Sequence, residues 1–92
     1  MLPTIGRIVH YTLSEQDAEA INRRREDFAE APATNTGFVG HVGNPASTGD
    51  IYPAMVVNTF GGTAANLQVF LDGNDTYWAT SRVEGADQGT WA

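Results

Sequence analysis

The sequence contains no cysteine and no lysine. The first absence removes any disulfide framework, thiol nucleophile or cysteine-ligated zinc site. The second leaves five arginines against eleven acidic residues and a formal charge of −6. A surface of that sign repels the phosphates of DNA and RNA polymers. Long apolar runs are missing too: none approaches the ~18 residues of a membrane span, and no charged-then-apolar leader opens the chain. These absences predict a cytoplasmic protein that engages neither nucleic-acid polymers nor membranes. With 92 residues, 41% of them hydrophobic, there is material for a single domain over 1–92. One modest core would bury ~60–65% of the surface of the unfolded chain.

What is present reads as mostly strand. Arg7-Ile-Val-His-Tyr-Thr-Leu13 is rich in β-branched and aromatic residues and follows Pro3 and Gly6. At Ser14 the period changes: Ser14-Glu-Gln-Asp17 is close to a capping box, with acid in the first turn, and predicts a helix from Glu15 to Ala29. A polar loop over 30–37 leads to a short strand at Phe38–Val42, then to a long turn-rich connection at Gly43–Pro53. Three further strands are expected at Ala54–Phe60, Leu67–Leu71 and Tyr77–Val83, the last two joined by Asp72-Gly-Asn-Asp75, a favoured hairpin turn. Five short strands with one helix inserted after the first predict an α+β, mainly β fold. The expected form is a small SH3-like barrel or a strongly bent five-stranded antiparallel sheet, with a small α+β sandwich as the alternative.

Chemistry-bearing residues are few. Helical spacing places Ala18, Ile21, Phe28 and Ala29 on one apolar stripe with Arg25 in its middle. That arginine either snorkels to the helix rim or reaches a carboxylate or bound phosphate with its planar fork. Arg24 sits at the edge of the stripe, and Arg23 on the polar face. In the last strand, strict alternation sets Tyr77, Ala79, Ser81 and Val83 on one face and Trp78, Thr80 and Arg82 on the other. An aromatic plane, a hydroxyl and a cation in a row suit a nucleotide: base stacking, sugar bonding, phosphate pairing. The competing reading packs Trp78 against neighbouring structure and pairs Arg82 on the surface. Trp91, near the end of the sequence, is docked on the domain, exchanged with a neighbouring copy, or part of a site; an oligomer contact fits a large aromatic there.

Other constellations are weaker. His10 and His41 fall in different expected strands, without a third partner or metal-ligand spacing, and read as structural. The acidic turn at 72–75 lacks the longer alternating pattern of a calcium loop. Ser14, Ser47 and Ser81 have no nucleophile-elbow context, and no nucleophile–base–orienter set can be assembled. No enzyme, cofactor or metal is expected on these grounds.

Gly6-Arg-Ile-Val-His-Tyr-Thr12, Ala-Glu-Ala-Ile-Asn-Arg-Arg-Arg at 18–25, Leu71-Asp-Gly-Asn-Asp-Thr-Tyr-Trp-Ala-Thr-Ser81, and Glu84-Gly with Gly89-Thr-Trp91 together resemble a group of small proteins encoded by actinobacterial phages and prophages. The likeness spans nearly the whole chain. It implies a phage accessory protein in the cytoplasm of the host cell. By analogy with small phage proteins that sequester the nucleotide signals of bacterial defence, it implies a non-enzymatic, homo-oligomeric binder of a small anionic ligand. Arg25, Trp78, Thr80, Arg82 and Trp91 are the expected ligand-binding residues. The alternative is a virion structural or assembly component, such as a small connector or tail accessory protein.

Overall fold

The structure, a computed structural model, describes residues 2–30 and 42–92, with side chains as far as Glu26 in the first stretch. Strand β1, Ile8–Thr12, alternates as its sequence requires: Val9 and Tyr11 are buried, Ile8 and His10 exposed. Helix α1, Glu15–Glu30, follows at once. Its capping box is reciprocal. The Ser14 hydroxyl accepts the Asp17 N–H at 3.2 Å, and the Asp17 carboxylate accepts the Ser14 N–H at 3.0 Å. Strands β2 (Ile51–Thr59), β3 (Ala65–Phe70) and β4 (Thr76–Arg82) complete the elements among the described residues.

The four strands form one antiparallel sheet in the order β1-β2-β3-β4. The mainly β architecture with a helix after the first strand is as expected. The closed barrel is not: among the described residues the sheet has four strands and stays open. The strand expected at 38–42 lies outside the described residues except for Val42, which belongs to no strand. Near the chain's end, Gly89–Ala92 runs beside β1. Thr12 donates to Thr90 and accepts from Gly89, while His10 and Ala92 exchange two bonds of 2.9 Å. On its other side Trp91 bonds the 83–85 segment.

Strand β2 begins three residues earlier than expected, because it tolerates Pro53. Both backbone groups of His10, the partner of Pro53, bond Ala92, and pairing with β3 begins only at Ala54. No ladder bond therefore needs the N–H that proline lacks.

Two bulges face one another across β3. The register slips between Val56 and Asn58 on β2, and again between Ala79 and Arg82 on β4, both opposite Asn66. At the second, Ser81 adopts a positive φ of 54° and donates its N–H to the Asn66 side chain at 2.8 Å. The extra residue reverses the alternation of everything that follows it.

One face of the sheet is covered. Val9, Tyr11, Ala54, Val56, Leu67, Val69 and Ala79 pack with Ala18 and Ile21 of α1, with Leu13 and with Trp91 in a single core. Among the described residues, no helix is long and apolar enough to cross a membrane.

Candidate functional site

The covered face contains a carboxylate. Asp17 is fully buried. Besides capping α1, it accepts the hydroxyls of Tyr11 at 2.5 Å and Tyr77 at 2.9 Å, and Arg82 Nη2 at 3.1 Å. Burial alone would raise its pKa, but the bonds from Tyr11, the Ser14 backbone and Tyr77 outweigh burial and hold it below the ordinary aspartate value. The same arrangement, burial first and then donation to Asp17, pushes both tyrosine hydroxyls up. Arg82 also lies 5.9 Å from the Tyr11 ring centre. This is a locked structural network: every partner donates to one anion, and solvent does not reach it.

Arg82 therefore does not stand in a row with Trp78 and Thr80, as strict alternation predicts. The bulge at Ser81 turns it to the covered face, while Trp78 and Thr80 stay on the open one.

Arg25 forms a second lock. Its guanidinium meets Asp75 twice at 3.2 Å, and its Nε donates to the Asn44 carbonyl at 2.9 Å. Of the two sequence readings, the carboxylate wins over the snorkel: the side chain is only 11% exposed. Arg24 adds a bond to Asp75 at 3.3 Å and one to the Thr76 carbonyl at 2.8 Å. Burial would raise the Asp75 pKa, but Arg25 and then Arg24 bring it below its usual value.

The 42–46 segment is pinned over this pair. Asn22 clasps the backbone of Ala46 with two bonds of 2.7 and 2.8 Å. Val42 and Asn44 bond residues 72 and 74 of the β3–β4 hairpin. Gly43 and Gly73 make this approach possible: a Cβ on either would lie within 2.8 Å of backbone and of the Arg25 guanidinium. An open depression of about 380 Å³ beside them is lined by Asn22, Arg25, Glu26, Gly43 and Pro45.

Trp91 is 1% exposed, and its indole N–H is shared between the Thr63 and Arg82 carbonyls at 3.1 and 3.2 Å. It is docked on its own chain, the first of the three places the sequence left open for it. The five expected ligand residues thus occupy separate places: Arg25 under the hairpin, Arg82 and Trp91 on the covered side, Trp78 and Thr80 outside. The depression beside Arg25 is lined by none of the other four.

The open face carries half of the exposed large hydrophobic side chains among the described residues; Leu2, Ile5, Val42, Phe60 and Val83 lie elsewhere. Ile8 (54%), Ile51 (62%), Phe70 (40%) and Trp78 (59%) all point away from the core, with Val57 beside them. Ile8, Met55, Gln68 and Trp78 are successive cross-strand partners, so they form one row across all four strands. The remaining outward positions hold His10, Thr12, Pro53, Asn58, Asn66, Thr76 and Thr80. None of these positions carries Asp, Glu, Arg or Lys, in a chain with sixteen charged residues. Sequence reasoning picked out Trp78 and Thr80 there but missed the rest, because the covering of the other face by α1 had to be known first.

Among the described residues no cluster of histidine and carboxylates could hold a metal ion, and His41 lies outside them. No protein-family model, no curated protein and no solved structure matches this chain.

Proposed function

We propose that this chain is a non-enzymatic assembly module that works through the open face of its sheet. In the setting that the phage resemblance implies, it serves as a structural or assembly component. One observation carries the reading: a cross-strand row sets exposed Ile8 and Trp78 at its ends and half-buried Met55 and Gln68 between them, with exposed Ile51, Val57 and Phe70 on the same face, and none of its positions carries Asp, Glu, Arg or Lys. Loss of charge and enrichment in Trp, Phe and Met mark the centre of protein interfaces.

The small-anion reading has less support. Arg25 and Arg82, the cations it relies on, already hold Asp75 and Asp17, so an anion would have to displace a carboxylate from each.

A thermal-shift panel of cyclic and linear nucleotides separates the two readings. Assembly through the face expects no shift. A ligand at one hundred times its dissociation constant would add ~2.7 kcal/mol, or roughly 10–20 °C for a chain of this size. Such a shift would overturn the assembly reading in favour of nucleotide capture. The positive arm is co-sedimentation with assembled particles, retained by wild type and lost in Trp78→Glu.

A further inference from the structure

We infer that the occupant of the open face is a second copy of this chain, the two sheets packing face to face across a two-fold axis. This rests on the assembly reading and names its partner.

Three observations select a copy. The first is charge. Each chain carries −6, so two copies repel wherever acidic surface meets acidic surface, and the open face is an apolar surface without such residues. A cationic partner would need carboxylates to recognise, and this face has none.

The second is shape. The side chains stand on a regular antiparallel sheet, with bulky Trp78, Phe70, Met55 and Ile8 beside small Thr76, Thr80 and Thr12. Twisted sheets stack with their inner side chains interdigitated, ~10 Å apart and rotated by about 30°. A two-fold axis lets one copy's bulky positions fill the other's small ones, as an isologous contact requires.

The third is area. The five large apolar side chains expose on the order of 500 Å², and with the uncharged polar positions around them the face reaches roughly 800 Å², what each partner contributes to a standard stable interface. The row also runs through the middle of the patch, where contact energy concentrates.

The test is sedimentation of the full chain from about 1 to about 100 µM, alongside acrylamide quenching of tryptophan fluorescence. Trp91 is buried and Trp78 exposed, so quenching reports chiefly on Trp78. The expected result is a mass of two chains and a protected Trp78. Trp78→Glu and Met55→Glu, each folded by circular dichroism, should weaken self-association by about 100-fold or more. Added salt should tighten the dimer by screening the repulsion between two acidic chains.

Other outcomes overturn the inference in distinguishable ways. One-chain mass with an accessible Trp78 removes the second copy but leaves the face open to a different protein. One-chain mass with a protected Trp78 means the chain covers its own face, and the assembly reading fails as well. A dimer that persists in both variants places the contact elsewhere.

Discussion

The two faces of this sheet treat polarity in opposite ways. The covered face takes in a carboxylate and part of a guanidinium, Asp17 and Arg82, while the open face exposes Trp78, Ile8, Ile51 and Phe70 and carries no acid and no arginine. Hydrogen-bond supply accounts for the first half. A buried charge is costly only when its partners are missing, and Asp17 has two tyrosine hydroxyls, a backbone N–H and an arginine around it. Strand parity accounts for the second. Once α1 and Trp91 cover Val9, Leu67 and Ala79, the alternate residues have nowhere else to point.

The largest blow to the covered face is Asp17→Ala. It removes the carboxylate half of the capping box and leaves Arg82, Tyr11 and Tyr77 without their acceptor. The expected loss is about 3–5 kcal/mol in urea unfolding, close to the whole stability of a small domain. Full stability in that variant would reduce the network to ornament.

Gly73→Ala should follow, at about 1–3 kcal/mol. Its Cβ would meet the Val42 carbonyl at 2.5 Å and Arg25 at 2.7 Å. Calorimetry should show the loss, and a variant that melts with wild type would mean that the 42–46 segment is not held against the hairpin.

Acid titration ranks third. Asp17 and Asp75 both have folded pKa values below their ordinary ones, so the unfolded chain binds more protons and stability rises with pH. Their contribution is complete above the unfolded aspartate value of ~3.9 and is lost as pH falls through the lowered folded values. Asp75→Asn should flatten the acid limb of the stability curve and leave the neutral-to-alkaline limb in place. An unchanged acid limb would show that Asp75 is not held as an anion.

The smallest effect belongs to the open face. Thr80→Ser should change the stability of the single chain by no more than ~0.5 kcal/mol, as surface changes generally do. A loss of several kcal/mol at high dilution would show that the chain itself packs on this face. The comparison between the faces would then collapse.

Local signals were readable in proportion to their range. Ser14 and Asp17 are three residues apart, and their capping geometry is as the pattern implies. The alternation of β1, the start of α1 and the turn at 72–75 were legible for the same reason. Pro53 misled because its cost depends on which neighbour needs its N–H, and that neighbour bonds Ala92 instead. Arg82 misled because one positive φ at Ser81 cancels a period-two argument for every residue beyond it. Asp75 was recognised as a turn residue, but nothing near it indicates that Arg25, fifty positions earlier, closes on it.

By itself the sequence determined the composition of each face: a cysteine-free, lysine-free chain with one capped helix and strands whose alternate residues differ in character. Those are properties of neighbours in the chain, set by backbone period and by hydrogen bonds a few residues long. The tertiary structure alone decided which set turned inward, that Asp17 would meet Tyr77 and Arg82 there, that Trp91 would be sealed in the core, and that Trp78 would stand in the open. Each of those depends on groups tens of residues apart arriving at one place, and no local pattern records where a distant side chain will be.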